Sequence, residues 1–192
     1  IDFSNGSFVV NEGAFSGGTG TITFYNGTLP IQDVFGKQNN GAALGNIGQS
    51  MIKFGNFYFI AVNNADKIEV VNVSDFKSKV TITGINLPRY FAANATKLYV
   101  SSWNKDFATG SVNEIDPINF KILKSIPVTG LVEKMIIKND IIYATVSATS
   151  TDILSKHIIM IDAKTNTLLD NIEVGDNTND LKKKKNGILW VL

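Results

Sequence analysis

Four short polar clusters recur at nearly constant spacing, and together they could build a ligand-binding rim. They are Gln49-Ser50, Pro88-Arg89-Tyr90, Glu133-Lys134 and Asn179-Asp180. Each lies at or directly before an apolar strand start, at Met51, Tyr90, Met135 and Leu181, spaced 39, 45 and 46 residues apart. Amide, guanidinium, carboxylate and ammonium groups in such a ring can orient an amide-rich or phosphate-bearing ligand by convergent hydrogen bonds. A channel mouth is also wet, and so polar, without any ligand. Asn11, Asn63 and Trp103 end strands or begin the loops after them, which suits the same rim. Trp103 offers a stacking surface for a flat ligand or a packing residue for its own loop. The expected ligand-binding set is Asn11, Gln49, Asn63, Arg89, Trp103, Glu133, Lys134 and Asn179.

Other chemistry is poorly provided for. There is no cysteine and a single histidine, His157, so a Cys/His metal cluster or a Ser-His-Asp triad cannot be argued. No metal and no cofactor is expected. Asp176, Thr178 and Asp180 imitate the first half of a calcium loop, but Leu181 stands where glycine is needed and Gly187 where a bidentate Glu belongs. Gly17-Gly-Thr-Gly20 precedes a strand pattern, whereas a phosphate cradle needs a helix N-terminus. Lys182–Lys185 reads as a solvated strand end beside Asn186-Gly187, and Asp116 and Asp162 read as Asx-type turn caps.

The elements that must position these residues are strands. An aromatic residue within an apolar strand recurs at Phe59, Tyr99, Tyr143 and Trp190, spaced 40, 44 and 47 residues apart. These aromatics are expected between packed sheets. An apolar residue followed by Asn or Asp recurs at Tyr25-Asn26, Val71-Asn72, Ile115-Asp116 and Ile161-Asp162. Gly84, Gly130 and Gly175 close a further strand in each copy. Self-similarity at this period with nearly all-strand content predicts an all-β β-propeller of four-stranded antiparallel blades. The second module reads as strands at about 49–54, 57–62, 67–73 and 79–84. The third reads as 89–93, 97–102, 111–116 and 121–128, and the fourth as 133–137, 141–147, 157–162 and 168–174. Blades are expected at 7–48, 49–88, 89–132 and 133–178, with the start of a fifth at 179–192. The first lacks its innermost strand. The whole is read as one incomplete propeller domain, about four and a half blades of an expected seven. Helix signals are nearly absent.

Composition sets outer bounds. The 192 residues are 44% hydrophobic and 18% charged, which describes a packed interior and not a disordered chain. A net charge of +1 gives no nucleic-acid footprint. No apolar run approaches the roughly 18 residues of a membrane-spanning helix.

Several strings carry a family resemblance. Phe8-Val-Val-Asn-Glu-Gly13, Gly48-Gln-Ser-Met51, Asn63-Asn64 with Lys67-Ile-Glu-Val-Val71, and Leu87-Pro-Arg-Tyr-Phe91 resemble the DUF5074 surface lipoproteins of Bacteroidota. These belong to the wider YncE-like group of seven-bladed propellers. Lys185-Asn-Gly-Ile-Leu-Trp-Val191 is similar to later blade starts of that family, whereas Lys182–Lys185 departs from its apolar–polar alternation. The resemblance implies an export signal and lipidated cysteine upstream of Ile1, further blades after Leu192, and a location on the bacterial cell surface at the outer membrane. Relatives include vitamin B12-binding propellers that cap TonB-dependent transporters.

The reading that follows is a non-catalytic binding propeller, lipid-anchored and docked on a TonB-dependent transporter or another outer-membrane protein, capturing a small, corrinoid-like solute. An alternative is a purely structural interaction subunit of an outer-membrane assembly. A propeller hydrolase or lyase is the third reading, and these residues supply neither its metal-binding carboxylates nor its central histidine and acid. No nucleic-acid partner is expected.

Overall fold

The computed structural model describes residues 1–147, 149, 156–176, 178 and 180–192. They form two compact units, Ile1–Pro88 and Arg89–Leu192, taken here in turn.

In the first unit, β1 (Ser7–Asn11) pairs antiparallel with β2 (Thr21–Tyr25). Ile31 adds one antiparallel bridge to Phe24, a remnant of a further strand. A four-stranded sheet follows in strict sequence order: β3 (Gly48–Phe54), β4 (Phe57–Val62), β5 (Lys67–Asn72) and β6 (Ser78–Ile82). Between the sheets lies α1 (Val34–Gln38), one helical turn that the sequence pattern did not predict. Five residues are too few to show a helical period. Asp33 caps the turn by accepting from the Gly36 amide at 3.1 Å, and Val34 and Phe35 are buried beneath it. Phe3, Phe8, Phe24, Tyr58 and Phe76 form an aromatic core, with Phe8 and Phe76 stacked at 5.3 Å and Phe3 meeting Phe24 edge-on at 5.1 Å. Such pairs add about 1 kcal/mol each beyond the area they bury. The Tyr58 hydroxyl donates to the Phe3 carbonyl at 2.8 Å, so its polar end is satisfied inside the core.

The second unit holds two complete blades and the start of another. β7 (Pro88–Ala93, its first residue belonging to the preceding unit), β8 (Leu98–Trp103), β9 (Thr109–Asp116) and β10 (Lys121–Thr129) form one sheet. β11 (Leu131–Lys138), β12 (Ile141–Ser147), β13 (His157–Asp162) and β14 (Thr167–Glu173) form the next. β15 (Leu181–Lys183) pairs with β16 (Leu189–Val191). Each full sheet is an antiparallel meander, as a four-stranded propeller blade requires. The predicted strands match those observed to within two residues at each end, and the four-stranded antiparallel sheets are as expected.

A sheet that buries both faces must satisfy every polar group it carries inward. Tyr99 is fully buried, and its hydroxyl lies 2.9 Å from the Ala163 carbonyl and 2.8 Å from Asn166 Oδ1, both on the next sheet. Asn166 Nδ2 donates to Glu114, and Lys97 closes the network at 3.2 Å from Glu114 Oε1 and 2.6 Å from the Ala163 carbonyl. Burial, with the charge of Glu114 second, pushes the Tyr99 hydroxyl well above its ordinary range. Below this network, Val112, Val132, Ile142 and Ile159 pack the inter-sheet core.

The aromatic series is only partly internal. Phe59 and Tyr99 are fully buried, but Tyr143 is half-buried and Trp190 is 48% exposed. Trp190 lies in β16, where no described sheet covers its ring, and Lys184 Nζ sits 3.7 Å from the ring centroid instead.

The third-to-fourth turns behave as expected. Asp116 Oδ1 accepts from the Ile118 and Asn119 amides, and Asp162 Oδ1 from the Lys164 and Thr165 amides. Those backbone donors hold both carboxyls below their ordinary 3.8. Each turn closes on a left-handed residue, Phe76, Phe120 or Asn166, at φ of 58°, 54° and 58°. Asparagine tolerates that conformation best of the three.

Replacing Tyr99 with phenylalanine keeps the ring and removes the hydroxyl that ties the two sheets. The expected loss is about 1–2 kcal/mol, because buried Asn166 keeps an oxygen without its donor. Urea unfolding of Tyr99→Phe against the parent reads that loss directly.

Candidate rim site

The inner strands do not run straight where the polar clusters lie. Register slips between Gly48 and Ser50 on β3 and between Val132 and Met135 on β11, so Gln49, Glu133 and Lys134 sit at bulges. A bulge leaves residues outside the ladder and re-aims their side chains. The exposed backbone groups are then met by hydroxyls from the neighbouring strand. Ser101 Oγ accepts from the Tyr90 amide at 3.0 Å and lies 2.7 Å from the Glu133 carbonyl, its hydroxyl within donating distance of it. Thr145 Oγ1 accepts from the Lys134 amide at 3.1 Å.

These bulges bring four of the expected residues into one cluster of the second unit. Arg89 forks onto Glu133, with Nε 3.1 Å from Oε2 and Nη2 2.9 Å from Oε1. The guanidinium lies 4.2 Å from the Trp103 ring centroid, and 5.5 Å from that of Tyr90. Lys134 lies 5.1 Å from the Tyr90 centroid and 3.4 Å from Asp180 Oδ1. Two cations, two carboxylates and two aromatic rings therefore interlock across β7, β8, β11 and the start of β15. The Arg89–Glu133 pair is deeply set, with side-chain exposures of 16% and 8%, whereas Lys134 is 39% exposed. Burial pushes the Glu133 carboxyl up, and the Arg89 charge and hydrogen bonds, then Lys134, pull it partly back.

The other expected residues lie elsewhere. Asn11 belongs to the first unit and donates to Thr21 Oγ1 at 3.2 Å and Thr23 Oγ1 at 3.1 Å within its own hairpin. Gln49 occupies the β3 bulge of that unit. Asn63 is buried there, its amide donating to the Pro88 carbonyl at 3.2 Å. Trp103 makes the matching contact in the second unit, Nε1 to the Val132 carbonyl at 3.1 Å. Both residues thus hold the backbone just ahead of a rim position. Asn179 lies outside the described residues.

Sequence reasoning passed over Ser101 and Thr145, although each stands two residues beyond the repeated tyrosine, at Tyr99 and Tyr143. That shared offset is the signal that would have found them. Among the described residues no group of three His, Cys, Asp or Glu side chains could hold a metal ion. Asp176 pairs with Lys156 at 3.2 Å. His157 is exposed on β13, opposite Glu173.

The family model described as "Domain of unknown function (DUF5074)" matches residues 5–192. The chain belongs to the DUF5074 family. Among solved structures, this DUF5074 chain is similar to Kuenenia stuttgartiensis hydrazine synthase, at 14% identity and a TM-score of 0.65, covering 97% of this chain and 55% of that one. Dihydro-heme d1 dehydrogenase NirN in complex with DHE matches at 12% identity and 0.59, covering 88% and 38%. Myxococcus xanthus glutaminyl cyclase matches at 10% and 0.54, covering 76% and 60%. At these identities the likeness is one of fold, a propeller-like one, and the DUF5074 chain spans 38–60% of those longer chains. No curated protein matches it.

Arg89→Ala leaves the Glu133 carboxylate buried without its counter-charge, which drives its pKa further up. A raised carboxyl pKa means that the folded state holds the proton longer than the unfolded state. The resulting stability is complete below the ordinary 4.5 and drains away as pH rises through the folded pKa. The variant should therefore lose about 3 kcal/mol at pH 7, and the deficit should shrink as pH is lowered toward 4.5. Urea unfolding at several pH values tests both the size and the direction.

Proposed function

We propose that this DUF5074 chain is a non-catalytic binding module of an outer-membrane uptake system. In this reading it belongs to a lipid-anchored, cell-surface propeller that docks on a TonB-dependent transporter. It captures a small, corrinoid-like solute at the rim and passes it to the channel beneath. The observation that carries the binding role is the convergence of Arg89, Trp103, Glu133 and Lys134 with Tyr90 and Asp180 at the bulged starts of the inner strands. Such a cluster supplies hydrogen-bond donors, acceptors and ring faces within a few ångströms, which is what orientation of a polar solute demands. Lys134 is the most exposed member measured, and its longer pairing to Asp180 makes it the group most readily recruited by an incoming acceptor. The membrane setting and the transporter rest on the family resemblance.

A second reading, as a structural interaction subunit, has its own support. Outer strand β14 carries Leu168 and Leu169 at 48% and 49% exposure, apolar surface suited to a protein partner.

Purification of the tagged native protein in mild detergent, with co-purifying chains identified by mass spectrometry, separates the two. A TonB-dependent transporter near equal stoichiometry supports the uptake role, and a different membrane assembly in its place supports the structural one. Calorimetry of the full-length protein should show corrinoid binding at micromolar affinity, weakened at least about tenfold by Lys134→Ala or Trp103→Ala. No heat of binding for the parent removes the corrinoid.

A further inference from the structure

A groove of about 300 Å³ opens in the second unit between the sheet of β7–β10 and the sheet of β11–β14, away from the charged cluster. This is the small end of the range of ligand sites, about 300–1,000 Å³. Along its outer strand a bulge leaves Leu169 outside the β13–β14 ladder. Beyond that bulge, Leu168, Asn171 and Glu173 share a face with Ile161, Ile159 and His157. Ile159 and Ile161 stay packed in the core, while Leu168 and Asn171 stand exposed. Leu168 and Asn171 thus line the open side of the groove. On the opposite wall the chain crosses from β10 to β11 at Gly130, with φ of +102°, so close to Val146 that a Cβ there would collide with it.

The lining sorts into two kinds. Val128, Val146 and Ile159, each 4–7% exposed, make an apolar floor. Thr129, Ser147, His157 and Asn171 stand around it. Among the described residues the side chains of these four make no hydrogen bond. Among the described residues no carboxylate, lysine or arginine lines the groove, so a charged ligand would find no counter-ion there and would lose its hydration, at a cost of several kcal/mol. Among the described residues neither an aromatic platform nor a long apolar slot is present. What remains is a shallow apolar seat ringed by hydroxyl, imidazole and amide groups, each able to give and to take a hydrogen bond.

We propose that this groove binds a neutral, polyhydroxylated ring of the size of one sugar residue. Its C–H face rests on Val128, Val146 and Ile159, and its hydroxyls reach Thr129, Ser147, His157 and Asn171. The site is independent of the rim reading, since it shares none of its residues. A free monosaccharide and the terminal residue of a glycan present the same chemistry.

The test is a methyl-region NMR titration of the full-length protein with the methyl α-glycosides of glucose, galactose and mannose, and with glucuronate as a charged comparison. At least one neutral glycoside should shift the Val128, Val146 and Ile159 methyls saturably, with a Kd on the order of 1 mM, and glucuronate should bind at least about tenfold more weakly. The His157→Ala, Asn171→Ala double variant, altered only at exposed positions, should bind at least about tenfold more weakly. Leu168→Trp, which fills the groove, should abolish binding. An oligosaccharide ending in the preferred sugar that binds much tighter identifies a glycan, and equal affinity identifies the free sugar. The proposal is overturned if no glycoside shifts those methyls at about 20 mM, if glucuronate binds as well, or if either variant binds undiminished.

Discussion

The tie between Tyr99 and the turn at Ala163–Asn166 is the contact on which the second unit depends. A blade has two apolar faces and cannot bury either alone, so its stability is a property of neighbouring pairs. Tyr99 makes that pairing specific, because its ring fills the interface and its hydroxyl reads two polar atoms of the next sheet. Glu114 and Lys97 complete the circuit, and the turn that presents Asn166 is itself fixed by Asp162. The first unit solves the same problem differently. There an aromatic cluster around Phe8 and Phe76 does the packing, and Tyr58 finds its acceptor on Phe3 at the chain's beginning.

Holding the sheets in this way also sets the rim. Ser101 bonds to Tyr90 on its own sheet and to Glu133 on the next, so one hydroxyl links a bulge to a blade contact. The Arg89 fork then spans the same step between sheets with side chains. Arg89 in this setting is a structural clamp between the two sheets. Lys134 has less structural duty, since only its backbone is held by Thr145 and its side chain reaches a quarter-exposed Asp180.

The strand order was legible because strand periodicity and turn chemistry agree at every repeat. Asp116 and Asp162 announce their turns, and the apolar run Phe57–Val62 could be nothing but an inner strand of a packed sheet. The single turn α1 was not legible, since its cap and two buried residues leave no pattern longer than a loop's. For the site, spacing singled out candidate positions but could not say which would meet. Arg89 and Glu133 are 44 residues apart, and only the stagger between adjacent sheets brings them together. Asn63 looked like Trp103 in the repeat and proved like it in contact, each holding a carbonyl of the chain ahead. The groove beside Val146 left no trace in the sequence, because its lining residues come from separate strands of two sheets.

The outer strands carry one more regularity. Lys79 on β6, Leu123 on β10 and Leu169 on β14 each fall outside the ladder, all close to the turn that begins the strand. A strand edge with unbroken pairing is a template on which another chain can add. In these three four-stranded sheets the outermost edge is kinked near that turn, so a visiting strand would find only a few consecutive backbone groups in register. In these three copies the repeat that builds the blades thus also carries its own obstacle to sideways growth into fibrils.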